Sequence, residues 1–205
     1  MKIQACQKGF TLIELMTATF ITVLFAAAFF AAFYAMRNEL YHQNVFFTSN
    51  RGARFAMEMI TRDAKEAIGI VASRGGDATG NQVLILRLPS IDNAGEPTNF
   101  DADYDYVVYK FDANAPTTLI RDLDVLNGTS QRNGGTDTSG KVIARNVTGL
   151  QFSNTAGTGF SSIANETNLY SFNSQITVRG TTLRSTQTQT ASLDSNVRLR
   201  NKPNA

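Results

Sequence analysis

The chain has 205 residues, 42% of them hydrophobic and 18% charged, with a formal net charge of +2. That length holds one domain plus an anchor, or at most two small domains. Two of the basic residues, Lys2 and Lys8, stand at the extreme N-terminus; without them the 19 basic residues become 17, equal to the 17 acidic ones, and nothing in the charge asks for a polyanion partner.

The N-terminus is built in an unusual order. A polar leader at 1–9 ends in Gly9 and is followed by Phe10-Thr11-Leu12-Ile13-Glu14-Leu15 and an apolar run to Met36. A secretory signal places its small-residue cleavage site after the apolar region. Here the small residue precedes it, so processing at Gly9 would leave the apolar segment on the mature chain. Cys6 is the only cysteine, and it lies in the leader, so the body has no disulfide. A lipoprotein cysteine follows its apolar stretch, whereas Cys6 precedes this one.

The run from Phe10 to Met36 is interrupted only by Glu14 and threonines 11, 17, 19 and 22. As a helix it spans about 40 Å, enough for a hydrocarbon core of about 30 Å with some tilt. The leader lysines put its N-terminus in the cytoplasm by the positive-inside rule. Ala26-Ala27-Ala28 and Ala31-Ala32 would let neighbouring helices approach closely. A carboxylate in such a segment costs about 2.5–3.5 kcal/mol on insertion scales and needs either a partner or a route to the headgroups.

Gly9-Phe10-Thr11-Leu12-Ile13-Glu14 resembles, without a break, the type III signal of type IV pilins and type II secretion pseudopilins. The resemblance implies that a prepilin peptidase of the inner membrane cuts between Gly9 and Phe10 and methylates the new amine of Phe10. It also implies that Glu14 is the assembly glutamate, paired with the Phe10 amine of a neighbouring subunit. Burial in an apolar interior rewards only such paired charges.

Helical character continues past the membrane. No proline occurs between Arg37 and Ile68, and Ala53, Met57, Ile60, Ala64 and Ile68 form a stripe at helical spacing. Glu58, Arg62 and Glu66 are spaced to pair along the opposite face. Gly52 is a soft point and Gly69 a stop. The segment from Asn50 to Ala64 is similar to the J-type minor pseudopilins and W-type minor pilins.

After Gly69 the pattern turns to β. Strands are expected at Val83–Leu88, Tyr104–Phe111, Thr118–Leu123, Lys141–Arg145, Val147–Phe152, Leu169–Arg179 and Leu183–Ala191. Tyr104–Phe111 is apolar on both pleat faces, which predicts a central strand. Asp112-Ala113-Asn114-Ala115-Pro116 reads as the turn of a hairpin, and 127–140 as a flexible surface loop. The hairpin at 104–123, Val147–Phe152 and the close Val197-Arg198-Leu199-Arg200-Asn201 are also similar to the J and W types. The expected fold is α+β. Its long N-terminal helix spans the membrane with its first half and packs its second half on a mostly antiparallel sheet. Four parts follow: leader 1–9, transmembrane and assembly helix 10–36, periplasmic half of the helix 37–69, and head 70–205.

The head is poor in chemistry. His42, the sole histidine, reads as a solvated residue, and no nucleophile, base and orienter can be grouped. Neither catalysis nor a cofactor is expected. Asp101, Asp103 and Asp105 alternate somewhat like a calcium loop, but its sixth position is Tyr106 and its twelfth Asp112. The bland reading is an exposed strand edge with solubilising acids. Arg179, Arg184, Arg198, Arg200 and Lys202 gather basic charge toward the C-terminus; without interleaved aromatics they read as a solvated face, and no nucleic-acid partner is expected. The sequons at Asn127, Asn146 and Asn165 carry no weight in a Thr-rich chain.

The sequence thus points to a minor pilin or pseudopilin, a structural subunit of a type II secretion pseudopilus or type IV pilus. Its place would be the tip or priming complex, and its partners the prepilin peptidase, other subunits and the inner membrane. The alternative is a membrane-tethered periplasmic module for DNA or a surface ligand that uses the signal only for targeting.

Overall fold

A computed structural model of the chain describes residues 9–98, 104–125, 130–132, 136, 138–154, 171–180 and 189–199. The chain divides into two compact units, Met1–Asn44 and Val45–Ala205. One helix, α1 (Leu12–Glu66), supplies the first unit and opens the second. It ends three residues before Gly69, which therefore starts strand β1 (Gly69–Ile70) and is no helix stop.

In the second unit α1 buries Ser49, Ala53, Ala56, Met57, Met59, Ile60, Asp63 and Ala64. The expected stripe is thus the buried face, and Ile68 just beyond the helix is buried too. Its small residues bring the helix close to what it packs on. Gly52 lies inside the helix against the backbone of Ala144, at 3.6 Å from where a Cβ would stand. It is a packing position, not a soft point. Arg62 lies 3.6 Å from Asp63, and Glu66 pairs with Arg132, so the expected ladder along the outer face is replaced by contacts elsewhere.

The strands after β1 are β2 (Ser73–Arg74), β3 (Asp77–Ala78), β4 (Leu84–Pro89), β5 (Tyr104–Asp112), β6 (Ala115–Asp124), β7 (Thr138–Ala144), β8 (Val147–Asn154), β9 (Ser171–Gly180) and β10 (Gln189–Arg198). They form two main sheets and a ribbon, in place of the single sheet expected. The five-stranded sheet has the order β1-β4-β5-β6-β7, the three-stranded sheet β10-β9-β8, and β2 pairs with β3. All these pairs are antiparallel. β5 is central, as its two-faced apolarity predicts. Its turn to β6 is closed by the Asn114 N–H donating to Asp112 Oδ1 at 2.9 Å, the Asx geometry that aspartate favours.

Alternation fixes which side chains meet the helix. Leu84, Leu86 and Leu88 on β4, Val107 and Tyr109 on β5, and Leu119 and Leu123 on β6 join Ala53, Ala56, Ile60 and Ala64 in the main core. Leu150, Phe152, Phe172, Ile176, Val178 and Val197 extend that core under the second sheet. The chain changes sheets at Asn146, whose φ of 58° is the left-handed conformation that asparagine tolerates. Its Nδ2 donates to Ser49 Oγ of the helix at 2.9 Å. The far face of the five-stranded sheet carries a smaller cluster of Val71, Ile85 and Val108.

The last described strand is β10 at Gln189–Arg198, which overlaps only the end of the expected Leu183–Ala191, whose residues 183–188 lie outside the described residues; it sets Ala191, Leu193 and Val197 on one face and pairs in full with β9. Of the basic cluster, Arg179 and Arg198 are described, and both are exposed. Arg179 lies opposite Thr190 and Arg198 opposite Ser171, at opposite ends of the sheet. Arg184, Arg200 and Lys202 lie outside the described residues, as do Asn127 and Asn165. His42 is half-buried, not solvated.

Candidate functional site: the start of the apolar helix

Gly9 and Phe10 precede the first helical residue, Leu12, in irregular backbone. Phe10 is 87% exposed, and nothing lies within 4 Å of where a side chain on Gly9 would begin. The peptide bond between them is therefore open to another protein, in a conformation that needs no unwinding of the helix.

The helix begins with a reciprocal cap. Glu14 Oε2 accepts from the Thr11 N–H at 2.9 Å and from Thr11 Oγ1 at 2.8 Å, while the Glu14 N–H donates to Thr11 Oγ1 at 3.3 Å. This is a capping box, in which threonine and a glutamate three residues on satisfy each other's orphan donors. The sequence carries that signal in Thr11-x-x-Glu14. All the recorded side-chain bonds of Glu14 fall on Oε2, so Oε1 keeps its acceptor capacity.

Beyond the cap the hydroxyls look after themselves. Thr17 donates to the Ile13 carbonyl at 2.9 Å, Thr19 to Leu15 at 3.0 Å and Thr22 to Ala18 at 2.7 Å. These bonds let threonine sit in an apolar run without an unpaired donor. Leu12, Ile13, Leu15, Met16, Phe20, Val23, Phe25, Phe29 and Phe30 are each more than half exposed. Among the described residues, α1 is the one helix long and apolar enough to cross a membrane.

The acids singled out for calcium divide. Asp101 and Asp103 lie outside the described residues. Asp105 is fully buried on β5, not on an exposed edge. It accepts from Ser90 Oγ (3.2 Å), Ser130 Oγ (2.6 Å) and Arg132 Nε (3.0 Å). Arg132 reaches on to Glu66 Oε2 at 2.8 Å and the Pro89 carbonyl at 3.0 Å. So within 127–140, expected to be a loose surface loop, Ser130 and Arg132 are anchored to the core.

A second buried network went unread in the sequence. Tyr109 and Arg121 are directly opposite each other on β5 and β6, facing the helix. Asp63 of α1 accepts from Tyr109 Oη at 2.6 Å and from Arg121 Nε at 2.7 Å. Burial, then the Asp63 charge, pushes the Tyr109 hydroxyl well above its usual range. Burial disfavours the Arg121 charge, but Asp63 outweighs it, and the guanidinium is held more firmly protonated than usual. The available signal was the carboxylate itself: Asp63 sits three residues after Ile60, on the buried stripe, where an acid requires a partner.

Residues 4–30 match the family model described as the Prokaryotic N-terminal methylation motif. No curated protein and no solved structure matches the chain. The match covers the N-terminal motif, which indicates a subunit of the pilin or pseudopilin type, with an N-terminal helix consistent with membrane anchoring. With it go processing by a prepilin peptidase and assembly with other subunits of that type.

Proposed function

We propose that the chain is a minor pilin or pseudopilin, held in the bacterial inner membrane by α1 with its N-terminus cytoplasmic and its head periplasmic. The peptidase cuts the exposed Gly9–Phe10 bond and methylates the Phe10 amine. The subunit then leaves the membrane for a type II secretion pseudopilus or a type IV pilus, in the tip or priming complex. The likeness of Asn50–Ala64 and of the head strands to J-type and W-type minor subunits supports the last step.

One observation carries the reading. A carboxylate capped by Thr11 stands in the first turn of an exposed apolar helix, inside the methylation motif. The cap engages Oε2, and the cationic Phe10 amine of a neighbouring subunit can meet Oε1. Pairing there removes the cost of an isolated charge in an apolar surround.

Intact-mass and N-terminal peptide analysis of membrane-extracted protein tests this, with and without the peptidase. A chain starting at N-methylated Phe10 only when the peptidase is present is the expected result. A chain starting at Met1, or cut after Met36, would sink the reading.

A further inference from the structure

Strand β10 is the outermost strand of the three-stranded sheet. It pairs with β9 residue for residue, from Gln189 opposite Gly180 to Arg198 opposite Ser171, without a bulge. Among the described residues nothing pairs with its other edge. The sheet's other outer strand, β8, is irregular between Val147 and Gly149, and the Phe152 N–H donates to the Asn81 carbonyl at 2.8 Å. Among the described residues no such device protects β10. It holds neither proline nor lysine, the residues that usually blunt an edge.

Its inward face is also incomplete. On β9, Ile176 and Val178 are fully buried, whereas Ala191 and Leu193 on β10 are only partly covered. Val197 and Leu199, further along, are buried, so a further strand would finish that layer at Leu193. The outward face carries Asp194 and Arg198, both exposed and four residues apart. Gln175 Nε2 donates to Asp194 Oδ1 at 2.7 Å, leaving Oδ2 for a cation.

Charge selects a register. When a strand pairs antiparallel with its own copy, the two-fold axis passes through one residue, and facing residues are equally far from it on either side. With Asn196 on the axis, Asp194 faces Arg198 of the second copy, and the pair occurs twice. On the inward face the same register sets Leu193 opposite Leu199 and Ser195 opposite Val197. Centring on Asp194 instead would oppose two like charges, which is destabilising.

We propose that β10 pairs antiparallel with β10 of a second copy of this chain, with Asn196 on the two-fold axis and Asp194 facing Arg198 across the seam. Main-chain bonds supply the attachment and the ion pairs the register, as in other strand-addition contacts. The contact is isologous, so it makes a closed dimer of heads, which an open helical filament does not require.

The test uses the full chain in membranes with Cys6→Ser as background, so that introduced thiols are alone. Directly opposed residues have Cα atoms about 4.5–5.5 Å apart, within disulfide range. Oxidised Asn196→Cys is expected to give a covalent dimer. Ser192→Cys, whose two copies would stand about 27 Å apart along the seam, should give about tenfold less. Asp194→Arg should abolish the Asn196→Cys dimer, and adding Arg198→Asp should restore it, which a folding defect in the single variant would not allow. Equal crosslinking at 192 and 196, no rescue by the swap, or a crosslink to a different protein would each overturn the proposal.

Discussion

The apolar residues of the two units have opposite fates. In Leu12–Asn44 the leucines, isoleucines and phenylalanines are largely bare, and the one early carboxylate is held by its own helix turn. In Val45–Ala205 most of the described residues of these kinds are sealed against sheets, Phe47 and Phe55 excepted, and the carboxylates under the helix are held by residues distant in the chain. Asp63 reaches 46 positions to Tyr109 and 58 to Arg121. The difference teaches what each unit has left to satisfy. Among the described residues, the head meets most of its burial and charge within the chain, β10 excepted, while the apolar helix leaves its surface bare.

The sharpest way to break that comparison is Glu14→Ala. Incorporation into filaments should be lost, by tenfold or more for each 1.4 kcal/mol of subunit pairing removed. Cleavage at Gly9 should persist, and so should the thermal transition of the head, since the Glu14 carboxylate bonds Thr11 at the start of the helix. Incorporation measured by shearing and quantitative blotting decides it; undiminished filaments would show that the residue serves the cap alone.

Asp63→Ala addresses the other unit. It leaves the Arg121 charge and the Tyr109 hydroxyl buried without their acceptor, a change that costs about 3–5 kcal/mol. The unfolding midpoint of the head, followed by circular dichroism of the detergent-solubilised chain, should fall steeply. The mirror experiment is replacement of the whole set by Asp63→Leu, Arg121→Met and Tyr109→Phe. It should recover most of the loss, because a buried pair exchanged for apolar groups of similar volume is often neutral.

These outcomes bear on what the sequence could reveal. The motif at Gly9–Glu14 is local: its cap, its exposure and its class all follow from a few contiguous residues. So does the buried stripe from Ala53 to Ala64, because helical spacing is written along the chain. The strand positions were readable to within a few residues wherever apolar runs marked them, as at β4, β5 and β6. What escaped was long-range. No local pattern tells that β7 and β8, joined by one short corner at Asn146, belong to different sheets. Nor can spacing show that Asp105, among alternating surface-like acids, is buried under Arg132 from a loop of Gly, Ser and Asn. β10 runs further along the chain than expected, to Arg198, while residues 183–188 lie outside the described residues. Its true positions alternate small apolar residues with Ser, Asp and Asn, a weak signal that pairing with β9 completes.

A smaller effect is expected from Tyr109→Phe, about 1.5–3 kcal/mol for a hydrogen bond to a charged group. Its pH dependence carries the finer information. Burial and Asp63 raise the Tyr109 pKa on folding, so the folded state favours the protonated hydroxyl. That contribution is fully present below the unfolded tyrosine value of about 10 and is lost as pH rises toward the folded value. The native head should therefore lose stability above about pH 10 more steeply than Tyr109→Phe does. Parallel curves would mean that the network does not govern alkaline unfolding.

The smallest change asks whether the two faces of the five-stranded sheet differ as the two units do. Lys110, outward on β5, bonds Asp77 of the β2–β3 ribbon at 2.6 Å and lies 3.1 Å from Asp122. The groups keep 20–27% of their side-chain surface in water, against 2% for Asp63. The bond to Asp77 acts first in raising the Lys110 pKa, opposed by partial burial. Solvent screening nevertheless limits such a pair, and Lys110→Met should cost about 0.2–1 kcal/mol. The discriminating readout is salt. Raising the ionic strength from 0.1 to 1 M shortens the screening length from about 10 to 3 Å, which should shrink the Lys110→Met effect and leave the Asp63→Ala effect nearly unchanged. Equal salt sensitivity of the two would mean that water reaches Asp63, and that the helix is not sealed on the sheet as its buried stripe requires.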